Sequence, residues 1–270
     1  MTDRLLQTLC TWDALERSDH ASSLLGRFDG RAKVLVAAVY LVSMLSVPAE
    51  RFSELLLFAL FPILAAGAGG LSYASVARRS LVVLPFVAFI GIFNLFYDRE
   101  PVFVVGHVAF TRGILTFASI LLRGLLSVQT VIILVAVTGF YRLCRSLQWL
   151  GVPSLFTTQL LFVYRYLYVL VEEALAMRRA CDARSFGRRS YPLKVWGRLV
   201  GQLLLRTFDR AERIGCAMAA RGFTGRLPDG LCAPPVWGVR DSLFLLFGCA
   251  APVLLRLFLP VETLSVLFRG

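Results

Sequence analysis

The sequence predicts an all-α polytopic membrane protein: about five transmembrane helices plus a cytoplasmic or interfacial domain of long amphipathic helices. Three observations carry this. Of 270 residues, 57% are hydrophobic and 17% charged, against roughly 45–50% and about 25% in a soluble chain. The mean hydropathy is +0.71, and the apolar residues gather into runs approaching membrane length. Lys and Arg gather between those runs, biased to one side.

The first candidate span covers residues 34–47 and stops at Pro48, with Arg31 and Lys33 snorkelling from its inner end. The second covers about 52–69, the third 81–97 with Pro85 and Asn94 inside it, and the fourth lies within 113–138. The last runs over 242–260 and contains Pro252 and Arg256. Pro62, Pro85 and Pro252 predict kinks, which neighbouring helices and waters make tolerable. Arg123 interrupts the fourth stretch. Two readings are open: a functional charge in a pathway, or an interfacial lead-in over 113–124 followed by a crossing over 125–138. The high cost of a charge at mid-bilayer favours the second.

Orientation follows from basic residues. With the N-terminus inside, the inner segments hold five Lys and Arg (1–33), two (71–80) and sixteen (139–241); the outer segments hold one, two and two. An odd number of spans places the C-terminus outside. Residues 1–30 show no removable signal, since no apolar core precedes small residues there. The expected location is therefore the inner or plasma membrane, multi-pass, with a cytoplasmic N-terminus. The organisation is a membrane domain over 1–139, a cytoplasmic domain over 140–240 and a final transmembrane helix over 241–270. The six cysteines are scattered and largely cytosolic, so no structural disulfide is expected.

The segment 139–241 carries nine of the twelve net positive charges, yet it is no hydrophilic tail. Leu161, Tyr164, Tyr168, Val171 and Leu175 recur at helical spacing, while Arg and Glu grow denser toward the end. A turn at Gly151-Val152-Pro153-Ser154 precedes this helix and one near Gly187 to Pro192 follows it. A second helix runs from Leu193 to about Arg221.

Each long helix ends in nearly the same tripeptide: Ala183-Arg184-Ser185 with Phe186 next, and Ala220-Arg221-Gly222 with Phe223 next. Small neighbours let a helix end enter a groove. The arginine between them offers five donors in a rigid fork that suits carboxylates and carbonyls. Each Phe could fill an adjoining pocket. Two copies point to two similar receiving sites, although ordinary helix caps produce the same spacing.

Leu150-Gly151-Val152-Pro153, Gln159 to Leu167, Met177-Arg178-Arg179-Ala180 and Ala183 to Phe186 together resemble the T component of energy-coupling-factor (ECF) transporters, closest to the cobalt-type CbiQ family. Phe28-Asp29-Gly30-Arg31-Ala32-Lys33 resembles that family's Asp-Pro-Arg-x-Lys stretch, with Gly30 in place of proline. The resemblance covers about residues 18–223. It implies a non-catalytic scaffold that holds a substrate-binding membrane subunit for cobalt and two ATP-binding subunits. The ATPases would dock on Ala183, Arg184, Ser185, Ala220, Arg221 and Gly222, with Phe186 and Phe223 as supporting residues. Nickel or a vitamin is the alternative cargo.

Other classes fare worse. No Gly-x-x-x-x-Gly-Lys-Ser/Thr loop is present. His20 and His107 are isolated and nothing has metal-ligand spacing, so neither a cofactor nor a metal site is expected. A polytopic membrane enzyme would need converging carboxylates, and Glu172 and Glu173 point about 100° apart on a helix. Tyr164, Tyr166 and Tyr168 spread around their helix, which argues against nucleic acid and for bilayer anchoring.

Overall fold

The computed structural model describes residues 25–48, 52–97, 101–105, 108–185, 191–223, 225 and 237–258. A 3-10 turn, Leu25–Arg27, leads into α1 (Gly30–Leu45), α2 (Phe52–Phe58), α3 (Leu60–Ala68), α4 (Tyr73–Ser80) and α5 (Leu84–Tyr97). A hairpin of β1 (Pro101–Val105) and β2 (Val108–Thr111) follows. Then come α6 (Arg112–Thr138), α7 (Phe140–Trp149), α8 (Ser154–Arg184), α9 (Leu193–Ala220) and α10 (Val239–Phe258). The chain divides into two compact units, one within Leu147–Ala233 and one drawn from Trp12–Ser146 and Pro234–Gly270.

In the larger unit, Asp29 caps α1 by accepting the Arg31 N–H at 3.2 Å. Gly30, the first residue of α1, is pressed against its neighbours. A Cβ there would lie 2.6 Å from Ser146 Oγ and 3.2 Å from Thr138 Cγ2. Tyr40 and Met44 of α1, with Val47 just past its end, form a core with Leu55, Phe58 and Leu126. The Tyr40 ring stacks on Phe61 at 4.1 Å between centroids.

The second expected span is two helices, α2 and α3, separated at Ala59. Pro62 supplies the cause. It has no N–H for the carbonyl four residues back and its ring crowds that carbonyl. The residue four back is Phe58, and its freed oxygen accepts the Tyr40 hydroxyl at 2.9 Å. The third expected span starts later than the sequence suggested: residues 81–83 are a turn, and the segments Tyr73–Ser80 and Leu84–Ile92 meet at a 47° bend. Pro85, the second residue of α5, suits a helix start. A short antiparallel hairpin, β1–β2, joins α5 to α6, and the other elements among the described residues are helical.

α6 corrects the reading of Arg123. A lead-in followed by a separate crossing needs a break near Gly124, and α6 runs unbroken from Arg112 to Thr138. The Arg123 guanidinium reaches the Val47 carbonyl at the end of α1, where no later helical N–H is present to use that oxygen. Against α6, α5 packs through two notches. A Cβ on Gly91 would meet Phe117 at 2.8 Å, and one on Gly124 would meet Val87 at 2.9 Å. α10 returns along α1, with Gly248 against Val36 and the Phe244 ring stacked on Phe28 at 4.5 Å. α10 continues through Pro252. Arg256 pairs with the buried Glu54 at 3.6 Å and donates to the Ser46 carbonyl at 3.3 Å.

By length and apolarity, Gly113–Thr138 is able to cross a membrane alone, and the bent α4–α5 pair does so only if taken as one span. Glu54–Ala68 is apolar but shorter. α1 has 16 residues, and α10 carries Arg240, Asp241 and Arg256. Among the described residues, five separate membrane-length helices are therefore not present on these criteria.

Candidate functional site

The smaller unit is dominated by α8 and α9, which lie antiparallel. Near the α8 C-terminus, Arg178 covers the ring of Trp196 from the start of α9, 5.6 Å from its centroid. Midway, Glu173 takes Arg206 at 3.3 Å and Arg210 at 3.7 Å. Near the α8 N-terminus, Phe162 meets Phe223, just past α9, at 6.1 Å. Sequence reasoning had set Glu172-Glu173 aside as non-convergent carboxylates. The structure gives Glu173 a role tying the two helices together.

This arrangement puts the two arginine motifs at opposite ends of the helical pair. Arg221 lies beside the Phe162 end and Arg184 ends α8, 22 residues further on. At 1.5 Å per residue the two arginines are separated by roughly 30 Å.

The first motif is the last turn of α8. Ala183 and Arg184 are exposed, and Ser185 is the C-cap with φ −92° and ψ 1°. That conformation asks for no glycine, which is why serine serves there. Ser185 Oγ donates to the Asp182 carbonyl at 2.8 Å. Tyr191, from the start of the next segment, donates to the Asp182 carboxylate and lies 3.0 Å from Ser185 Oγ. The bond to Asp182 pushes the Tyr191 phenol pKa up, because ionisation would break it. Tyr191 was missed in the sequence; its one signal was an aromatic beside Pro192 immediately before a helix. Phe186 lies outside the described residues.

The second motif closes α9 differently. Arg221 is the C-cap, with φ −90° and ψ 8°, and Gly222 follows at φ +73°. The Phe223 N–H reaches Met218 O at 3.0 Å and the Gly222 N–H reaches Ala219 O at 3.0 Å. These two bonds form a Schellman cap, which needs its glycine at the left-handed position. The cap accounts for Gly222 and for the packing of Phe223 on Phe162. It does not account for Arg221, which points into solvent. Among the described residues, neither the Arg184 nor the Arg221 guanidinium has a hydrogen-bond or ion-pair partner.

The pair also exposes apolar side chains: Leu155, Phe156 and Val163 on α8, and Val200, Leu204 and Phe208 on α9, each more than half accessible. Among the described residues, no three His, Cys, Asp or Glu side chains converge as a metal site.

Residues 21–229 match the CbiQ family, described as cobalt transport protein. An uncharacterized protein of Methanocaldococcus jannaschii is 25% identical over 254 residues, covering 90% of this chain and 85% of that one. The cobalt transport protein CbiQ of Salmonella typhimurium is 27% identical over 148 residues, half of this chain and 65% of that protein. The nickel permease LarQ of Lactiplantibacillus plantarum is 32% identical over 88 residues, about a third of each. The apolar helices and the family match define a membrane-integral component of a transport system. The chain belongs to the CbiQ cobalt transport protein family.

Proposed function

We propose that this chain is the energy-coupling transmembrane subunit of an ECF-type importer. It passes ATP-driven movement from two ATP-binding subunits to a substrate-binding membrane subunit, and has no catalytic role of its own. The observation that carries this reading is the pair of partnerless arginines at opposite ends of one antiparallel helical pair, roughly 30 Å apart by helix rise. A buried or intrahelical role would have given each guanidinium a partner. Two separated, forked cations flanked by small residues suit two carboxylate-bearing grooves on two neighbouring subunits. Ala183, Ser185, Ala220 and Gly222 leave room for the approach, and Phe186 and Phe223 support it.

The exposed apolar faces of α8 and α9 support a second contact, with lipid or with the membrane subunit that carries cargo. In this reading the smaller unit is cytoplasmic, the larger unit is held in the membrane, and the two ends of the helical pair move when the ATPases close. Cobalt is the proposed cargo, following the family. Nickel is the alternative, favoured by the likeness to the nickel permease LarQ.

The test is recovery of the tagged chain from its own membrane in mild detergent. ATP-binding subunits should accompany it and should be lost from the Arg184→Ala, Arg221→Ala double variant. Uptake of labelled cobalt against labelled nickel then assigns the cargo. Undiminished assembly and uptake in the double variant would remove these arginines from the coupling role.

A further inference from the structure

In the larger unit, Phe28 and the first turns of α10 form an open surface groove of about 390 Å³, lined by Phe28, Arg240, Leu243, Phe244 and Phe247. Two of these rings, Phe28 and Phe244, stack on each other. Arg240, Leu243, Phe244 and Phe247 follow the three- and four-residue spacing that puts side chains on one face of a helix. Arg240 stands at one end of that face. Leu243, Phe247 and Leu254 run away from it over roughly 20 Å of helix, and all three are exposed. The surface therefore has a cationic end and a long apolar track.

The cationic end is uncommitted. Arg240 is exposed, and so is Arg27, the neighbour of Phe28 in the chain. Among the described residues, neither guanidinium has a hydrogen bond or an ion pair. The two carboxylates close by are buried and engaged elsewhere. Asp241 accepts the backbone N–H groups of Asp29 and Gly238. Asp29 caps α1 and lies beside Arg31 and Lys33. Arg142 is near enough to repel the Lys33 ammonium, so positive charge is in excess at this end of the unit. Trp237, just before α10, is exposed and donates its indole N–H to Ser242 Oγ at 2.9 Å. An exposed tryptophan at the end of an apolar helix settles at the depth of lipid headgroups.

We propose that this groove binds an anionic phospholipid, with one acyl chain along the Leu243, Phe247 and Leu254 track and the phosphate held by Arg240, Arg27 supplying a second guanidinium. The planar fork of arginine matches a pair of phosphate oxygens. The sign of the head follows from the local excess of cations, since the ammonium of a zwitterionic lipid would meet the same positive field. The proposal is independent of the coupling role of α8 and α9.

The full chain in mild detergent is titrated with phosphatidylglycerol and with phosphatidylcholine of the same acyl chains, and retained lipid is read by native mass spectrometry. Phosphatidylglycerol should bind more tightly. Arg240→Gln and Arg27→Gln should each weaken it about fivefold, and the double variant should bring it close to phosphatidylcholine. Both side chains are exposed and unbonded, so the fold is left intact. Arg78→Gln removes an equally exposed charge from α4 and should change retention little, which separates a site from a general field. Leu243→Glu, which sets a carboxylate beside the phosphate, should lower retention as well. Glycerol 3-phosphate carries the anion without the chains and should not displace the lipid; displacement at matching concentrations would assign the groove to a soluble phosphate and overturn the lipid. Equal retention of the two lipids by the wild type, or a loss in Arg78→Gln as large as in Arg240→Gln, would also overturn the proposal.

Discussion

The Asp241 carboxylate, at the start of α10, accepts the backbone N–H of Asp29 at 2.9 Å, across 212 positions of sequence. Its second oxygen accepts the Gly238 N–H at 3.0 Å. One buried side chain thus fixes where the first helix of the larger unit begins relative to the last.

Asp241→Ala should therefore destabilise the larger unit by about 2–4 kcal/mol, since it strands two N–H groups away from water. Asp241→Asn retains one acceptor oxygen and should lose less. Thermal unfolding in detergent, followed by circular dichroism, ranks the two variants. Equal melting of wild type and Asp241→Ala would show that the clasp carries no energy.

The α5–α6 contact makes a reciprocal prediction. Gly124→Ala places a methyl group 2.9 Å from Val87 Cγ1 and should cost about 1–3 kcal/mol by overpacking. Val87→Ala in the same chain should restore much of that loss, although Val87→Ala alone is destabilising. The opposite signs of the Val87 change in the two backgrounds are the readout.

Glu173 holds Arg206 and Arg210 with all three side chains partly exposed. Solvent screening keeps such pairs weak, so Glu173→Gln should cost about 1 kcal/mol or less. The wild-type advantage should shrink in high salt. Melting curves at two ionic strengths measure both effects.

For the arginine motifs, Arg184→Lys and Arg221→Lys preserve charge and remove the planar fork, so each should lower ATPase recovery. Each alanine replacement should lower it further, by about 2–5 kcal/mol of docking energy if the partner is a buried carboxylate. Full rescue by lysine would assign the effect to charge alone.

Tyr191 gives a pH dependence. Its hydrogen bond to Asp182 raises the folded phenol pKa, which stabilises the protonated form. That stabilisation is complete below the ordinary phenol pKa of about 10 and disappears as pH rises through the folded value. The Tyr191 ring stands edge-on to Trp196 at 6.5 Å. An alkaline change in Trp196 fluorescence, absent from Tyr191→Phe, is the expected signature.

The sequence by itself determined the helical membrane character, the two long helices and the repeated helix-end tripeptides, because these depend on composition and on periodicity within about ten residues. The membrane class and the CbiQ resemblance could be read at that stage. Tertiary structure decided the rest, through contacts between positions far apart in sequence. Pro62 announced a break, but only the fold supplied Tyr40 to take the Phe58 carbonyl. Arg123 looked like a boundary within a hydrophobic run, and the fold gave it the Val47 carbonyl and an unbroken helix. Gly30 stood out only as a departure from the resembled family's proline, and the fold made it a point of close approach to Ser146. Spacing placed Arg184 and Arg221 37 residues apart along the chain. Their position at opposite ends of one helical pair followed from the antiparallel packing of α8 and α9, which Glu173, Trp196 and Phe223 establish through partners that no local pattern could name.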